Sequence, residues 1–342
     1  MQISIHSIRK AQPQHYFSQP EVYTLFGYKD KKIKRIFNNS GVTKRYLYIP
    51  QKDFYFDETL EELNRRRIEG SIFLGRNVLK DSLKIAEMHI DQIGLINFVT
   101  STCIFHPYVP FLLLSELDSS GNTQLTNIFG MSCTGTITAI RRAYEFLREN
   151  EDTNAMILTI ELCSTAYYKD ETLETAVGHA IGSDGAATCL LTNNKNKLGP
   201  SIISFETFIS PSHKNIVGFE LVDNRLRATL SRSLVKIAGP LIQKIISDLL
   251  EKNKVNRSEI KYWIFHPGGR KIIESIQSNL GLTDFDMRYT KRVLKNYGNM
   301  SSATILFAMA EFFEKEKPNS GEYLVLAAVG PGLTVEACLL QW

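Results

Sequence analysis

Hydrophobic and polar positions in this chain of 342 residues follow two alternating patterns. A helical spacing over 72–92 leads into an apolar, strand-like run, Ile93–Ser101, and Leu125–Met131 reads as a short buried strand. Ile137, Ile140, Tyr144 and Leu147 then recur at helical spacing, which predicts a helix from Cys133 to Glu149. Ala155–Leu162 is strand-like again. Gly182-Ser183-Asp184-Gly185 reads as a turn, with Ala186–Leu191 as the strand that follows it. The polar stretch Asn193–Lys197 marks the mid-chain boundary, giving halves 1–195 and 196–342.

The second half repeats this order. Leu234, Ile237, Leu241, Ile245 and Leu249 form the apolar face of an amphipathic helix, and Tyr262–Phe265 is a short strand ending in His266-Pro267-Gly268-Gly269. A helix, the loop Tyr297-Gly298-Asn299 and a helix from Ser301 to Phe313 follow. The chain closes with strands Tyr323–Val329 and Leu333–Leu340 around the turn Gly330-Pro331-Gly332. Each half ends in a glycine turn and a strand, AATCLL in the first and VEACLL in the second. Strands alternating with helices, twice over, predict a pseudo-duplicated α/β protein.

Composition narrows the function. With 43% hydrophobic and 22% charged residues the chain buries a core and is not disordered. Forty basic against 36 acidic side chains is too even a balance to indicate a nucleic-acid partner, and 29–45 is the one dense basic run. No apolar stretch is long enough for a membrane span, and the first residues lack the apolar core of a signal peptide. The five cysteines are scattered with no CxxC, and the seven histidines form no HxxxH or HExxH pair. That predicts neither a disulfide framework nor a metal site, and a reduced, cytoplasmic protein. The 182–185 turn is followed by a strand and GxGxxG is absent, so no dinucleotide loop is expected.

Three positions carry candidate chemistry. Cys133 opens a predicted helix, where unpaired N–H groups and the macrodipole favour a thiolate, as an acyl-accepting nucleophile requires. His266 ends a strand, where polar residues of α/β sheets line the ligand crevice. Asn299 sits in a glycine-flanked loop before a helix. Taken singly, each has a plain structural reading: a core cysteine, a helix-capping histidine, and an asparagine N-cap or turn.

Together they carry a resemblance. HPGG, YGNMSSA and GPGLTVE, in this order, resemble the C-terminal signatures of type III polyketide synthases, the chalcone synthase-like family of thiolase-fold condensing enzymes. Glu161-Leu162-Cys163-Ser164 is similar to the bacterial branch. Ala176-Val177-Gly178-His179-Ala180, Asp184-Gly185-Ala186-Ala187 and Lys44-Arg45-Tyr46 match further family segments. The resemblance spans 20–342 and implies a thiolase-like fold, two halves packed as αβαβα layers. It implies a Cys133–His266–Asn299 triad for decarboxylative condensation of a malonyl thioester onto an acyl-cysteine, with CoA thioesters as substrates and no metal or redox cofactor. A homodimer is also implied.

Residue by residue, the resemblance puts Lys32 and Arg35 on CoA phosphates, with Asn39 in place of a third cation. Thr102, Cys163 and Ser301 match positions lining the pocket. Gly182 and Ala228 stand where phenylalanines usually narrow the passage, which predicts a fatty acyl starter and pyrone or resorcinol-type products. His106, before Pro107, matches a residue that reaches into the partner subunit's cavity. Two alternatives stay open: a ketosynthase III-like enzyme, taking acyl chains from CoA or an acyl carrier protein, which the glycine of Cys133-Thr134-Gly135 favours, and a non-catalytic acyl-binding partner. A papain-like hydrolase uses the same three residue types but not the HPGG and YGNMSSA frames.

Overall fold

The computed structural model describes residues 2–50, 58–167, 172–194, 199–222 and 225–342. In the first half the strands are β1 (Ser4–Ala11), β2 (Tyr16–Ser18), β3 (Lys44–Tyr46), β4 (Ile93–Thr100), β5 (Gln124–Phe129), β6 (Asn154–Leu162) and β7 (Asp184–Thr192). Its helices are α1 (Gln19–Leu25), α2 (Lys31–Asn38), α3 (Leu60–Ala86), α4 (Val109–Leu114), α5 (Gly135–Glu149) and α6 (Leu173–Ile181). The second half holds β8 (Ser201–Ile209), β9 (Val217–Val222), β10 (Arg225–Leu230), β11 (Ile260–Phe265), β12 (Tyr323–Gly330) and β13 (Thr334–Gln341). Its helices are α7 (Leu234–Lys252), α8 (Arg270–Leu280), α9 (Arg288–Tyr297) and α10 (Thr304–Lys315).

Nine strands hydrogen-bond in the order β11-β12-β13-β8-β1-β7-β6-β4-β5. Each half repeats one scheme, a parallel pair (β4 with β6, β11 with β12) continued by two antiparallel strands (β7 and β1, β13 and β8). The halves join where Ser4 pairs with Ser201. α5 and α10 touch strands of both halves and share one core, α3 covers the outer face of the first half, and α7 packs on the outer face of the second with α8 against it. These are the αβαβα layers of the thiolase-like fold. The expected boundary at 195/196 lies outside the described residues.

Most predicted elements form. Ile137, Ile140 and Leu147 are buried on α5, and Leu234, Ile245 and Leu249 on α7. Three expectations are corrected. The helix predicted over 72–92 is α3, Leu60–Ala86. A capping box between Thr59 and Glu62 starts it, a left-handed Glu87 ends it, and its polar first turns hide its beginning in the pattern. β5 is an edge strand whose outward residues are exposed, not a buried strand. Residues 182–185 are not a free turn: Gly182 caps α6 and Asp184 already starts β7. The seam strand β1, with its alternating polar residues, carries no strong apolar run and is absent from the reading of the pattern.

One buried cation fixes the segment that faces the site. Arg45, on β3, is fully buried. Its guanidinium donates to the carbonyls of His179 (2.6 Å), Ala180 (2.7 Å) and Gly182 (3.0 Å), and to Gln19 Oε1. Those carbonyls at the C-terminal end of α6 have no partner within the helix, and a cation also suits that end of the helix dipole. Arg45 thereby holds the Ile181–Ser183 turn in place.

Candidate active site

Cys133 lies in a single 3₁₀ turn, Ser132–Thr134, that leads into α5. The turn is tight, with Ser132 at φ +41°, a costly conformation for a residue with a Cβ. Hydrogen bonds hold it there: Ser132 Oγ to Ser101 Oγ at 2.7 Å, and the Thr134 hydroxyl and N–H both to Met131 O. Two glycines permit its depth. A Cβ on Gly135 would stand 2.6 Å from Val99 Cγ1, and one on Gly330 would stand 2.7 Å from Thr134 Oγ1.

Asn299 comes from the other half. It forms a bridge with Gly182: Asn299 N–H donates to Ile181 O (2.8 Å) and Ser183 N–H to Asn299 O (2.9 Å). Gly298, at φ +76°, lets the chain approach, since a Cβ there would stand 2.7 Å from Ile181 O. The Asn299 side-chain oxygen accepts from Ser301 N–H at 2.8 Å. A backbone N–H can only face an acceptor, so this bond sets the amide orientation and leaves Nδ2 as a donor.

His266 follows β11. Its N–H donates to Ala327 O, and its carbonyl accepts from Gly268 N–H. The side chain is only 3% exposed, yet neither ring nitrogen has a hydrogen-bond partner. A buried polar ring without partners is costly, and native structures tolerate it chiefly at sites that act.

Cys133, Asn299, Thr102, Cys163, Gly182, Ala228 and Ser301 line one cavity of about 100 Å³. Of the residues singled out in the sequence, these seven are brought together. Lys32 and Arg35, on α2, line a separate outer groove with Asn39, Gly268 and Gly269. Ile181 and Leu230 line both spaces. His106 is exposed and is not among the residues lining the cavity of its own chain.

Burial governs the titration. It pushes the Cys133 thiol up to about 12, the Glu161 carboxylate adds to the rise, and the Ser301 hydroxyl opposes it. Burial alone lowers His266 to about 3. Burial thus opposes the lowering of Cys133 that the helix start is expected to give. A helix end contributes typically ~0.3–1 kcal/mol, less than the cost of desolvating the thiolate.

The narrow passage is also a correction. The site opposite Gly182 is not open, because the Tyr167 ring fills it. A Cβ on Gly182 would stand 3.1 Å from Tyr167 Cε1, and Tyr167 Oη donates to Gly182 O at 2.8 Å. Phe219, on the β9–β10 hairpin, lines the same cavity. Tyr167, Phe219 and Glu161 were not singled out from sequence as site residues. Glu161 is fully buried and accepts from Thr102 Oγ1 (2.7 Å), Ser302 Oγ (2.6 Å) and Ser101 N–H. Its place within the ELCS signature was its only signal.

Comparison with known proteins gives the family. Residues 9–253 match the family model described as FAE1/Type III polyketide synthase-like protein, and 202–342 match the chalcone and stilbene synthases, C-terminal domain. The chain belongs to the type III polyketide synthases. It is 31% identical to 3,5-dihydroxyphenylacetyl-CoA synthase of Streptomyces toyocaensis, over 95% of this chain and 86% of the relative. It is 23% identical to 1,3,6,8-tetrahydroxynaphthalene synthase of Streptomyces peucetius, over 99% and 93%. In fold it is similar to PKS-I of the brown alga Ectocarpus siliculosus, with a TM-score of 0.93, 23% identity, and 99% and 98% of the two chains covered. Type III polyketide synthases form carbon–carbon bonds and work on CoA thioesters without a separate cofactor. Among the described residues no group of three or more His, Cys, Asp or Glu could hold a metal, and no helix is long and apolar enough to cross a membrane.

His266 is held neutral where an unfolded chain would protonate it, so its contribution makes stability rise with pH between about 3 and the ordinary 6.5. In a Cys133→Ala variant, which has no thiolate to share the proton, NMR should show the His266 ring neutral down to about pH 3. Titration near 6.5 would contradict its burial.

Proposed function

We propose that Cys133, His266 and Asn299 carry out decarboxylative Claisen condensation. His266, buried with both ring nitrogens unpartnered, is the observation that supports this reading most. It takes the Cys133 proton as the thiolate attacks a starter thioester, and the proton leaves with the departing thiol. A malonyl thioester then enters. Its carbonyl oxygen accepts from an N–H of His266 and from Asn299 Nδ2 while CO₂ departs, so the enolate forms facing two donors. The enolate carbon attacks the acyl-Cys133 carbonyl, the C–S bond breaks, and the released thiolate takes a proton from solvent, the one proton that the overall condensation consumes. The new β-keto thioester is two carbons longer.

The starter is compact in this reading. A fatty acyl starter with pyrone or resorcinol-type products, expected from Gly182 and Ala228, needs room that Tyr167 and Phe219 take up in a cavity of about 100 Å³. CoA is the carrier, supported by the cationic outer groove beside the cavity. The five unpaired cysteines support a reduced, cytoplasmic setting.

A homodimer belongs to the same proposal. Ile104, Phe111 and Phe129 are 43%, 57% and 55% exposed; Phe129 lies on the edge strand β5, Phe111 on α4, and Ile104 two residues before His106. Such apolar exposure favours burial against a second copy, which would bring His106 to the interface. Sedimentation at micromolar concentration should give a dimer; a monomer alone would contradict it.

An oxyanion donor is typically worth ~10²–10³ in rate. Asn299→Ala should slow malonyl-CoA decarboxylation by about that factor and still permit acyl transfer to Cys133, as mass spectrometry of the enzyme will report. Unchanged decarboxylation would remove Asn299 from the chemistry. For the starter, wild-type kcat/KM should be higher with acetyl-CoA than with dodecanoyl-CoA, and Tyr167→Ala should narrow that gap. A dodecanoyl preference in the wild type would refute the compact starter.

A further inference from the structure

Besides Asn299, His179 is the one nitrogen-bearing side chain among the described residues that line the Cys133 cavity, and the condensation steps make no use of it. It lies on α6 and is 3% exposed. Its ring is fixed from several sides. Phe26, just past α1, stacks on it with ring centroids 4.1 Å apart and planes at 7°, and Tyr167 meets it edge-on at 5.1 Å. Tyr28 Oη lies 2.7 Å from His179 Nδ1. The Arg45 guanidinium holds the His179 carbonyl, so the backbone under the ring is anchored as well.

Phe26 and Tyr28 are buried and do not line the cavity, so the stacked face and the Nδ1 edge of the imidazole turn away from it. A phenol gives up its proton more readily than a neutral imidazole does, so Tyr28 donates to Nδ1 and the ring proton sits on Nε2. His179 thus offers the cavity an N–H in a fixed direction. Other polar groups of the lining are already engaged. Thr102 Oγ1 donates to Glu161, Ser132 Oγ shares a proton with Ser101, Tyr167 Oη donates to Gly182 O, and the Ser301 hydroxyl faces the Cys133 thiol. After one extension the acyl chain on Cys133 carries a second carbonyl, at its β-carbon. Moving that oxygen out of water without a donor is costly.

We propose that His179 Nε2–H donates to the β-carbonyl oxygen of the acyl chain held on Cys133, so that the site favours chains already extended. Tyr28 and Phe26 are positioning residues that hold the imidazole for this bond. The proposal rests on the reading of Cys133 as the acyl acceptor.

The test compares acetoacetyl-CoA with butyryl-CoA, four-carbon starters that differ only in the β-carbonyl, with malonyl-CoA as extender. In His179→Leu the kcat/KM preference for acetoacetyl-CoA should fall about two- to tenfold, the range that one hydrogen bond supplies. His179→Gln, whose amide can place an N–H where Nε2–H stands, should keep most of the preference. Tyr28→Phe keeps the ring and loses the phenol; it should lower the preference when His179 is present and have no effect on it in His179→Gln, which has no Nδ1. An unchanged preference in His179→Leu, or an equal loss on both starters, overturns the proposal. So does a His179→Gln variant that loses as much as His179→Leu, since ring packing would then carry the effect. A second arm needs no turnover. In Cys133→Ala with ¹⁵N-labelled histidine, acetoacetyl-CoA should shift the His179 Nε2 resonance, identified by its loss in His179→Gln, and butyryl-CoA at equal saturation should not. Equal shifts, or none, overturn the proposal. A wild-type enzyme that adds no malonyl unit to either starter overturns the condensation reading instead, and the NMR arm then decides the role of His179.

Discussion

A single carboxylate with no access to water ties the site together. Glu161, at the end of β6, accepts hydrogen bonds from Ser101 and Thr102 beyond β4 and from Ser302 beyond Asn299. Burial raises its pKa, and its hydrogen-bond donors counteract that rise. An unpaired buried carboxylate would cost several kcal/mol, so each of those donors is effectively obligatory. The result is a fixed distance between the loop that carries Asn299 in one half and the strand ends beside Cys133 in the other. Because both halves contribute, neither holds the arrangement alone.

A second constraint acts on the opposite side of the cavity. Arg45 gathers the carbonyls at the end of α6, and the Gly182–Asn299 bridge then registers Asn299 against that turn. Tyr167 bonds to the Gly182 carbonyl that Arg45 also holds, so the ring that narrows the cavity is placed by the same network that places Asn299. Cavity size and the placement of Asn299 are thus coupled through one turn. A change at position 182 would have to displace Tyr167 before it could reshape the pocket.

What the sequence made legible follows from how local each signal is. Cys133, His266 and Asn299 sit at strand ends and in a glycine-flanked loop, and their flanking motifs are contiguous, so they could be read along the chain. The partners of those residues are not contiguous. Arg45 meets α6 across 134 or more positions and Glu161 meets Ser302 across 141, and no periodicity records such pairings. Tyr167 shows the same limit: the loss of a ring at Gly182 was visible, but the ring that replaces it comes from elsewhere. The apolar pattern starts α3 too late because its first turns, LEELNRRR, are polar on most faces, and only its capping box marks the start. The upward push of burial on the Cys133 thiol is likewise not legible in the sequence, since a helix start can be read from a pattern and burial cannot.

The central claim is that this site joins carbon to carbon on Cys133 and does not merely cleave thioesters. The most direct measurement follows malonyl-CoA labelled separately in its carboxyl and methylene carbons, with rapid quenching and peptide mass spectrometry. The account predicts an acyl adduct on the Cys133 peptide, one carboxyl label released as CO₂ for each two-carbon extension, and the methylene label retained in a longer product. Free malonate or acetate as the sole product, with no adduct on Cys133 and no new carbon–carbon bond, would contradict it.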